Sequence, residues 1–234
     1  MDMRQVSVWR GAAFGGYGRR VFGQVGARDL DTERRRMRIL ITDTIGGGVK
    51  RWLALLLLLW ALPASAIEVA GVKVADKARV GAGELVLNGA GIRTRVIFKV
   101  YVGALYLTEK TSVAAGVLAQ KGAKRVALTL LREVSAQQLN EAFESGIQAN
   151  HSAAEIEAIK PRVAELLSLF TDGKEGDVIL LDFLPEAGTA VSLNGQMKGR
   201  PIPGEDFYRA LLRIWLGDKP VDGDLKNAML GRSP

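Results

Sequence analysis

The residues with the clearest chemical potential lie in NGAGIRTRVIFKVYVGALYL, residues 88–107. This segment is rich in Val, Ile, Phe and Tyr, yet it contains three cations and a phenol, at Arg93, Arg95, Lys99 and Tyr101. A guanidinium presents its N–H donors as a planar fork, and a tyrosine hydroxyl adds a further donor. Together they suit an anionic oxygen, such as that of a carboxylate or an enolate. Arg93 and Tyr101 are therefore the candidate ligand-binding residues.

A second interpretation of this segment needs no ligand. In one straight strand, side chains alternate between two faces, so the odd-numbered cationic side would face water and the even-numbered apolar side would be core. Arg93 and Tyr101 would then lie about 27 Å apart, at ~3.3 Å per residue. A site shared by both residues requires that the chain bends sharply around residues 95–97, or that the two residues lie on neighbouring strands.

Other candidates for chemistry are weaker. The chain has no cysteine, which excludes disulfides, thiolate metal sites and a Cys nucleophile. Its one histidine, His151, has no His or Cys partner and is predicted to face solvent near a helix start. Asp182 interrupts an apolar run; a buried cation partner is one interpretation, and an outward position on an edge strand is favoured. Lys198 and Arg200 are predicted in a solvated connector. No metal and no cofactor are predicted.

Residues 50–66, KRWLALLLLLWALPASA, combine a basic pair, a short apolar run and a small-x-small site. This order is typical of a secretory signal peptide, and the run is shorter than the roughly 20 residues of a membrane span. We expect a signal peptide at 49–66, cleavage between Ala66 and Ile67, and a periplasmic or secreted product without a membrane span. Residues 1–48 are expected to be a disordered leader or a mis-assigned start, with translation beginning at Met37 or nearby.

The basic charge belongs to the leader. Residues 1–51 contain 11 basic and 5 acidic residues and the whole chain contains 32 and 25, so residues 67–234 contain 21 and 20. The exported domain therefore has no basic footprint for nucleic acid, and nucleic acid is not a predicted partner.

The remaining 168 residues, 67–234, predict one α+β domain. Alternating patterns indicate strands, and spacing of three to four indicates helices. Asn88-Gly89 is predicted as a turn, Ser112, Ser135 and Ser152 as helix starts, and Pro161 as a kink or break in a long helix. Residues 67–75 are predicted as a hairpin with its turn at Gly71, and further strands are predicted over 83–109, 123–133, 176–186 and 188–202, with Val126, Leu128 and Leu130 on one face. The predicted helices cover 112–120, 135–150, 152–170, 204–217 and 222–230. The helix over 204–217 has an apolar stripe that includes Trp215, and Gly217 is its predicted C-cap.

Several of these segments also resemble one known family. The runs LNGAGIR and FKVYVGALYL, the helix beginning SAQQLNEAF and the segment WLGDKPVDGDLK are similar to chalcone isomerase-like proteins, in order and spacing, along most of residues 67–231. The similarity is greatest to bacterial members and to plant fatty-acid-binding relatives. It implies an open-faced β-sandwich, in which an antiparallel sheet carries helices on one face and a ligand cleft lies between them.

Individual family residues carry over unevenly. Arg93 occupies the place of the essential arginine of the plant isomerases, after G-A-G-x. Tyr101 stands at their strand threonine, within a K-V-Y run like that of the fatty-acid-binding branch. Three other polar family positions are replaced by Leu139, Gly146 and Ile214. Flavanone ring closure needs an ordered donor network, so we expect no chalcone isomerase activity.

The sequence leaves three function classes open. The favoured one is non-catalytic binding of a small amphipathic carboxylate, similar to a fatty acid, in a greasy cleft with Arg93 and Tyr101 at the head group. The second is an intramolecular lyase or isomerase that uses Arg93 as electrophile and Tyr101 as acid. The third is a structural or interaction protein with a vestigial cleft.

Overall fold

The computed structural model describes residues 66–232. The predictions for the leader, for the start at Met37 and for the signal peptide as far as Ser65 lie outside the described residues. Within them, strands precede and follow a central group of helices, as the sequence predicts. None of the described helices is long and apolar enough to cross a bilayer.

The domain begins with a small separate hairpin. Strands β1 (Ala66–Val69) and β2 (Val72–Ala75) pair antiparallel. Ala70 and Gly71 connect them with positive φ angles of 50° and 81°, the backbone that a two-residue hairpin turn requires. The predicted hairpin with Gly71 at its turn is confirmed.

Seven further strands form one antiparallel sheet, in which each strand lies beside the next one along the chain. Val126, Leu128 and Leu130 share the face toward the helices, as their spacing predicts. The strands are β3 (Lys77–Val80), β4 (Gly83–Arg95), β5 (Phe98–Leu107), β6 (Lys124–Leu130), β7 (Val178–Leu184), β8 (Gly188–Leu193) and β9 (Gln196–Ile202).

The turn predicted at Asn88-Gly89 is wrong. Strand β4 continues through both residues with only a register shift, and the chain reverses at Val96-Ile97 instead. Gly89 has another purpose, because a Cβ atom there would lie 2.0 Å from the backbone oxygen of Ala228. Asn88 is buried, donates to Met229 O at 2.7 Å and accepts from Thr111 N at 2.8 Å. Asn88 and Gly89 therefore hold the last helix of the chain against the sheet.

Two long helices have the predicted starts. Helix α2 (Ala136–Asn150) is capped by Ser135 and helix α3 (Ala153–Ser168) by Ser152, each in a reciprocal capping box. Pro161 lies within α3 without ending it. The short α1 (Ala114–Ala119) has Val113 rather than Ser112 at its N-cap, and no side chain caps it.

The C-terminal helices follow the second run of strands. Helix α4 (Glu205–Leu216) has Gly217 as its C-cap, as predicted, and its apolar stripe is buried. Helix α5 (Gly223–Met229) is capped by Asp222, whose side chain accepts from Leu225 N at 3.0 Å. The segment predicted as strand 188–202 is instead the hairpin β8–β9, which turns at Asn194-Gly195 with φ angles of 51° and 78°.

The sheet has a core on both faces. The larger core packs one face against α2, α3, α4 and α5, whereas the smaller core lies on the opposite face, where Val74 of β2 joins Leu85, Val102 and Tyr106. The predicted fold class is confirmed: a curled antiparallel sheet with its helices on one side, an α+β open-faced sandwich.

Candidate ligand cleft

The turn at Val96-Ile97 decides the geometry of the candidate site. It makes β4 and β5 a hairpin in which Arg93 and Tyr101 are cross-strand partners. The Arg93 guanidinium carbon lies 5.6 Å from the centre of the Tyr101 ring. The segment therefore has the sharp bend that a shared site requires, and the single-strand interpretation is wrong. Tyr101 is buried, and Phe98 on the supposed core side is 55% exposed.

Both side chains line a cleft between the end of the sheet and the helices. Its cavity volume is about 280 Å³, near the lower end of the range for small-molecule sites. The polar lining is concentrated around the hairpin, the segment after β6 and the first turn of α2, with Arg93, Arg95, Tyr101, Arg132, Glu133 and Gln138. The apolar lining comes from β5, β6, α2 and α4, and includes Val100, Leu128, Leu130, Leu139, Phe143 and Trp215.

Tyr101 is held as a hydrogen-bond donor. The Trp215 indole Nε1 donates to the Tyr101 hydroxyl oxygen at 2.8 Å, which fixes the ring and leaves the phenol's own proton available. Burial raises the pKa of Tyr101 to about 12, against a smaller lowering by the nearby Arg93 charge. The phenol therefore stays protonated over the physiological pH range, and it can offer its O–H to an anion.

Arg93 has donor capacity that the described residues leave unused. The side chain is half-buried, and its Nε is buried without a hydrogen-bond partner within residues 66–232. The nearby carboxylate of Asp222 is already engaged, since it accepts from Thr94 N and Leu225 N at 3.0 Å each. A buried charged donor without an acceptor is costly, so this site favours an anionic oxygen.

The three replaced family positions have two different roles. Leu139 and Ile214 line the cleft as apolar walls. Gly146 instead lets α2 approach α4 closely, because a Cβ atom there would lie 2.8 Å from Cγ2 of Ile214. None of the three supplies a hydrogen-bonding side chain to the cleft.

Sequence reasoning missed several cleft residues. Trp215 was visible only as part of the apolar stripe of α4, and nothing in that pattern indicates that its indole orients Tyr101. Arg132 was not singled out either, although Tyr101 pairs with Leu130 across β5 and β6. That register places the residues after Leu130 beside the hairpin, and the Arg132 guanidinium carbon lies 5.1 Å from the centre of the Phe98 ring.

The other sequence candidates lie outside the cleft lining. Asp182 is on β7, between β6 and β8, so the edge-strand prediction is wrong. Both its oxygens accept from Arg125, each at 2.6 Å. His151 is half-buried rather than solvent-facing, with Nδ1 2.9 Å from Ile147 O. Lys198 and Arg200 belong to strand β9, not to a connector.

Comparison with known proteins identifies the family. The model of the chalcone isomerase-like family matches residues 66–231, and the chain belongs to this family. The fold is similar to the crystal structure of a fatty-acid binding protein from Arabidopsis thaliana, with a TM-score of 0.53 and 13% sequence identity. The match covers 71% of this chain and 96% of the plant protein. No curated protein matches the sequence. The predicted family and fold are thus confirmed.

Proposed function

We propose that this protein is exported and binds a small amphipathic carboxylate, similar to a fatty acid, without catalysing a reaction. The carboxylate head group contacts Arg93 and Tyr101, and the hydrocarbon part lies against the apolar wall of the cleft. The observation that carries the proposal is that Arg93 and Tyr101 lie side by side in the lining of the cleft, with the Tyr101 hydroxyl positioned by Trp215 and no hydrogen-bond partner for Arg93 Nε within residues 66–232.

The head-group contact has a clear physical basis. A guanidinium forms charge-assisted hydrogen bonds with a carboxylate, and these are roughly twice as strong as bonds between neutral groups. The protonated Tyr101 adds a neutral donor that does not compete for the negative charge. Arg95 and Arg132 also line the cleft, and among residues 66–232 Glu133 is the one acidic side chain in its lining, so the local charge favours an anion.

The hydrocarbon part has matching surroundings. Phe143 meets Trp215 edge to face, with ring centroids 5.7 Å apart, and the ring centroids of Phe143 and Phe170 lie 4.7 Å apart. These aromatic contacts form a firm wall for an apolar chain. The fatty-acid-binding function named for the Arabidopsis protein of similar fold supports the same ligand class.

Catalysis by Tyr101 is disfavoured by its environment. An efficient general acid has a pKa near the working pH, whereas burial raises the pKa of Tyr101 to about 12. The apolar Leu139 and Ile214 further remove possible donors. We therefore expect no enzymatic conversion of chalcone to flavanone. Robust turnover that disappears in Arg93→Ala would favour the lyase or isomerase alternative.

Binding of decanoate to the purified protein, measured by calorimetry, tests the head-group contact. We expect Arg93→Ala to weaken binding by about 2–5 kcal/mol, because a desolvated charge pair is lost. Decanol, which has the same chain without the charge, should bind weakly to both proteins. Arg79→Ala is the matched control, since the Arg79 side chain is 73% exposed on strand β3, outside the cleft lining.

An unchanged decanoate affinity in Arg93→Ala would refute the head-group contact. Absence of decanoate binding in the unmodified protein, together with no ligand in mass spectra of denatured samples, would favour the vestigial-cleft alternative. Export is tested separately by intact mass. We expect a periplasmic product that begins at Ile67, and a full-length cytoplasmic product would contradict export.

A further inference from the structure

The tip of the β4–β5 hairpin exposes large apolar side chains to solvent. We define the hairpin tip as residues 95–99. Val96 is 89% exposed, Ile97 79% and Phe98 55%. Val96 also has a positive φ of 60°, which a β-branched residue rarely adopts. Neither turn chemistry nor packing explains three consecutive apolar residues at this position.

Basic side chains surround the apolar tip. Within the hairpin tip, Arg95 and Lys99 flank the three apolar residues, and the Arg132 guanidinium carbon lies 5.1 Å from the centre of the Phe98 ring. None of these three cations forms a salt bridge with a carboxylate in residues 66–232. Glu133 is an acidic residue of the same region. An apolar protrusion bordered by cations is the chemistry that attaches proteins to the surface of an anionic bilayer.

The hairpin tip also borders the cleft. Arg95, Val96 and Phe98 line the cleft, whereas Ile97 and Lys99 do not. We propose that the hairpin tip inserts into the surface of an anionic membrane, with the cleft opening toward the lipid. An amphipathic acid then passes between the bilayer and the cleft with little exposure to water. Only this transfer of the acid rests on the function proposed above. The membrane contact is inferred from the hairpin tip alone.

The shape of the surface favours a membrane over a protein partner. Stable protein interfaces bury roughly 1,200–2,000 Å² in total and have a packed apolar centre with a polar rim. Three residues on a protruding turn supply only a small part of such an area. A bilayer accepts a narrow protrusion, because its headgroup region deforms around the inserted side chains and its anionic lipids attract the surrounding cations.

Fluorescence from single labelled cysteines tests the contact in the full chain. The chain has no native cysteine, so Ile97→Cys with an environment-sensitive dye reports one site. Met197→Cys is the matched control, because Met197 is 60% exposed on strand β9. This site-specific signal is needed because the uncleaved chain also contains the apolar run of residues 52–62, which has its own affinity for vesicles.

With vesicles of phosphatidylcholine and phosphatidylglycerol, we expect a blue shift at position 97 and none at position 197. A quencher attached to the lipid should likewise act only at position 97. Lys99→Glu in the Ile97→Cys protein should lower partitioning about tenfold, and vesicles of phosphatidylcholine alone should bind more weakly. A water-like signal at position 97 on vesicles, or an equal shift at position 197, would overturn the inference.

Two further outcomes separate this inference from the proposed function. Ile97→Asp should leave decanoate binding in solution unchanged, because Ile97 is outside the cleft lining, and Arg93→Ala should leave the vesicle signal unchanged. Insertion of position 97 without decanoate binding would refute the proposed function alone. Protection of the label when the protein is concentrated without vesicles would indicate contact between copies of the chain, and would overturn the membrane inference.

Discussion

Two arginine–tyrosine pairs lie on opposite faces of strand β5. Arg93 pairs across the strands with Tyr101 on the face toward the helices, and Arg125 pairs in the same way with Tyr106 on the other face. The residue types and the cross-strand relation are the same. The two pairs differ in what the rest of the domain supplies to them, and this difference indicates which pair is available to a ligand.

Arg125 and Tyr106 lie on the face of the sheet opposite the helices, called the open face below, and their hydrogen-bond partners are other residues of the domain. Arg125 donates to both oxygens of Asp182 at 2.6 Å and also to Arg79 O at 3.3 Å. The Tyr106 hydroxyl donates to Ala75 O at 3.0 Å. The hydrogen bonds with Asp182 are the first cause of the raised pKa of Arg125. This pair therefore contributes to stability by joining β3, β6 and β7 and by attaching the β1–β2 hairpin.

Arg93 and Tyr101, in the cleft, have hydrogen-bond donors without acceptors among the described residues. The Tyr101 hydroxyl accepts from Trp215, so its own proton is free for a ligand, and the Arg93 Nε has no acceptor within the described residues. The same two residue types therefore stabilise the fold on one face of the sheet and, on the other face, have the donors that the proposed ligand requires. Internal acceptors decide between these roles, and sequence spacing shows only the residue types.

The largest expected effect is on the free energy of unfolding, when Arg125 on the open face loses its partner Asp182. Asp182→Ala leaves the guanidinium of Arg125 without its carboxylate at a site where both side chains are only 17% exposed. We expect a loss of about 3 kcal/mol in the free energy of unfolding, measured with urea. Arg93→Ala should change the same free energy by less than about 1 kcal/mol, since it mainly loses the contact with the Tyr101 ring.

The opposite order of these two effects would break the comparison. A large destabilisation in Arg93→Ala would mean that this cation supports the fold, which would contradict the proposed role in ligand binding. Asp182→Asn provides the control for size, because it keeps the shape of the side chain and removes its charge. We expect its stability to lie between those of the unmodified protein and Asp182→Ala.

The sequence predicts the fold class well but not the partners of individual charges. Periodicity and the two capping boxes are local signals, and they locate the long helices. Asn88-Gly89 has the strongest local turn signal of its region, yet the close approach of α5 accounts for Gly89. The actual turn, at Val96-Ile97, has no turn residues at all.

The charged residues show why the site was only half predictable. The sequence predicts Arg93 and Tyr101 as candidate ligand-binding residues, and strand geometry predicts the bend that a shared site requires, which the structure contains. The pairing of Arg125 with Asp182 depends on strand order in the sheet, which local patterns do not contain. The orientation of Tyr101 by Trp215 likewise joins residues 114 positions apart, through packing that no local pattern predicts.

An effect of intermediate size is expected at alkaline pH, where ionisation of Tyr101 in the cleft lowers the free energy of unfolding. The pKa of Tyr101 is about 12 in the folded protein against 10.0 for an ordinary tyrosine. The resulting stability is fully present below pH 10 and is lost as the pH rises toward 12, by on the order of 2 kcal/mol. Burial also raises the pKa values of Tyr106 and Tyr208, so only the difference between the unmodified protein and Tyr101→Phe isolates this contribution.

Urea unfolding at several pH values between 9 and 12 measures that difference. We expect the unmodified protein to lose stability more steeply than Tyr101→Phe, because the variant has no phenol to ionise on unfolding. Identical slopes for the two proteins would show that Tyr101 titrates normally. Its hydroxyl would then be solvated, in contradiction to its place beneath the helices.

The smallest effect tests the open-face tyrosine. Tyr106→Phe removes one hydrogen bond, from the hydroxyl to Ala75 O, and keeps the ring within the smaller core. Because a single hydrogen bond contributes about 1 kcal/mol net, we expect a loss of that size in the free energy of unfolding and no change in decanoate affinity. Tyr101→Phe should weaken decanoate binding, because the ligand loses a donor. A Tyr106→Phe protein that also binds decanoate less tightly would show that the two faces of the sheet are coupled, and the division between a structural pair and a ligand-binding pair would fail.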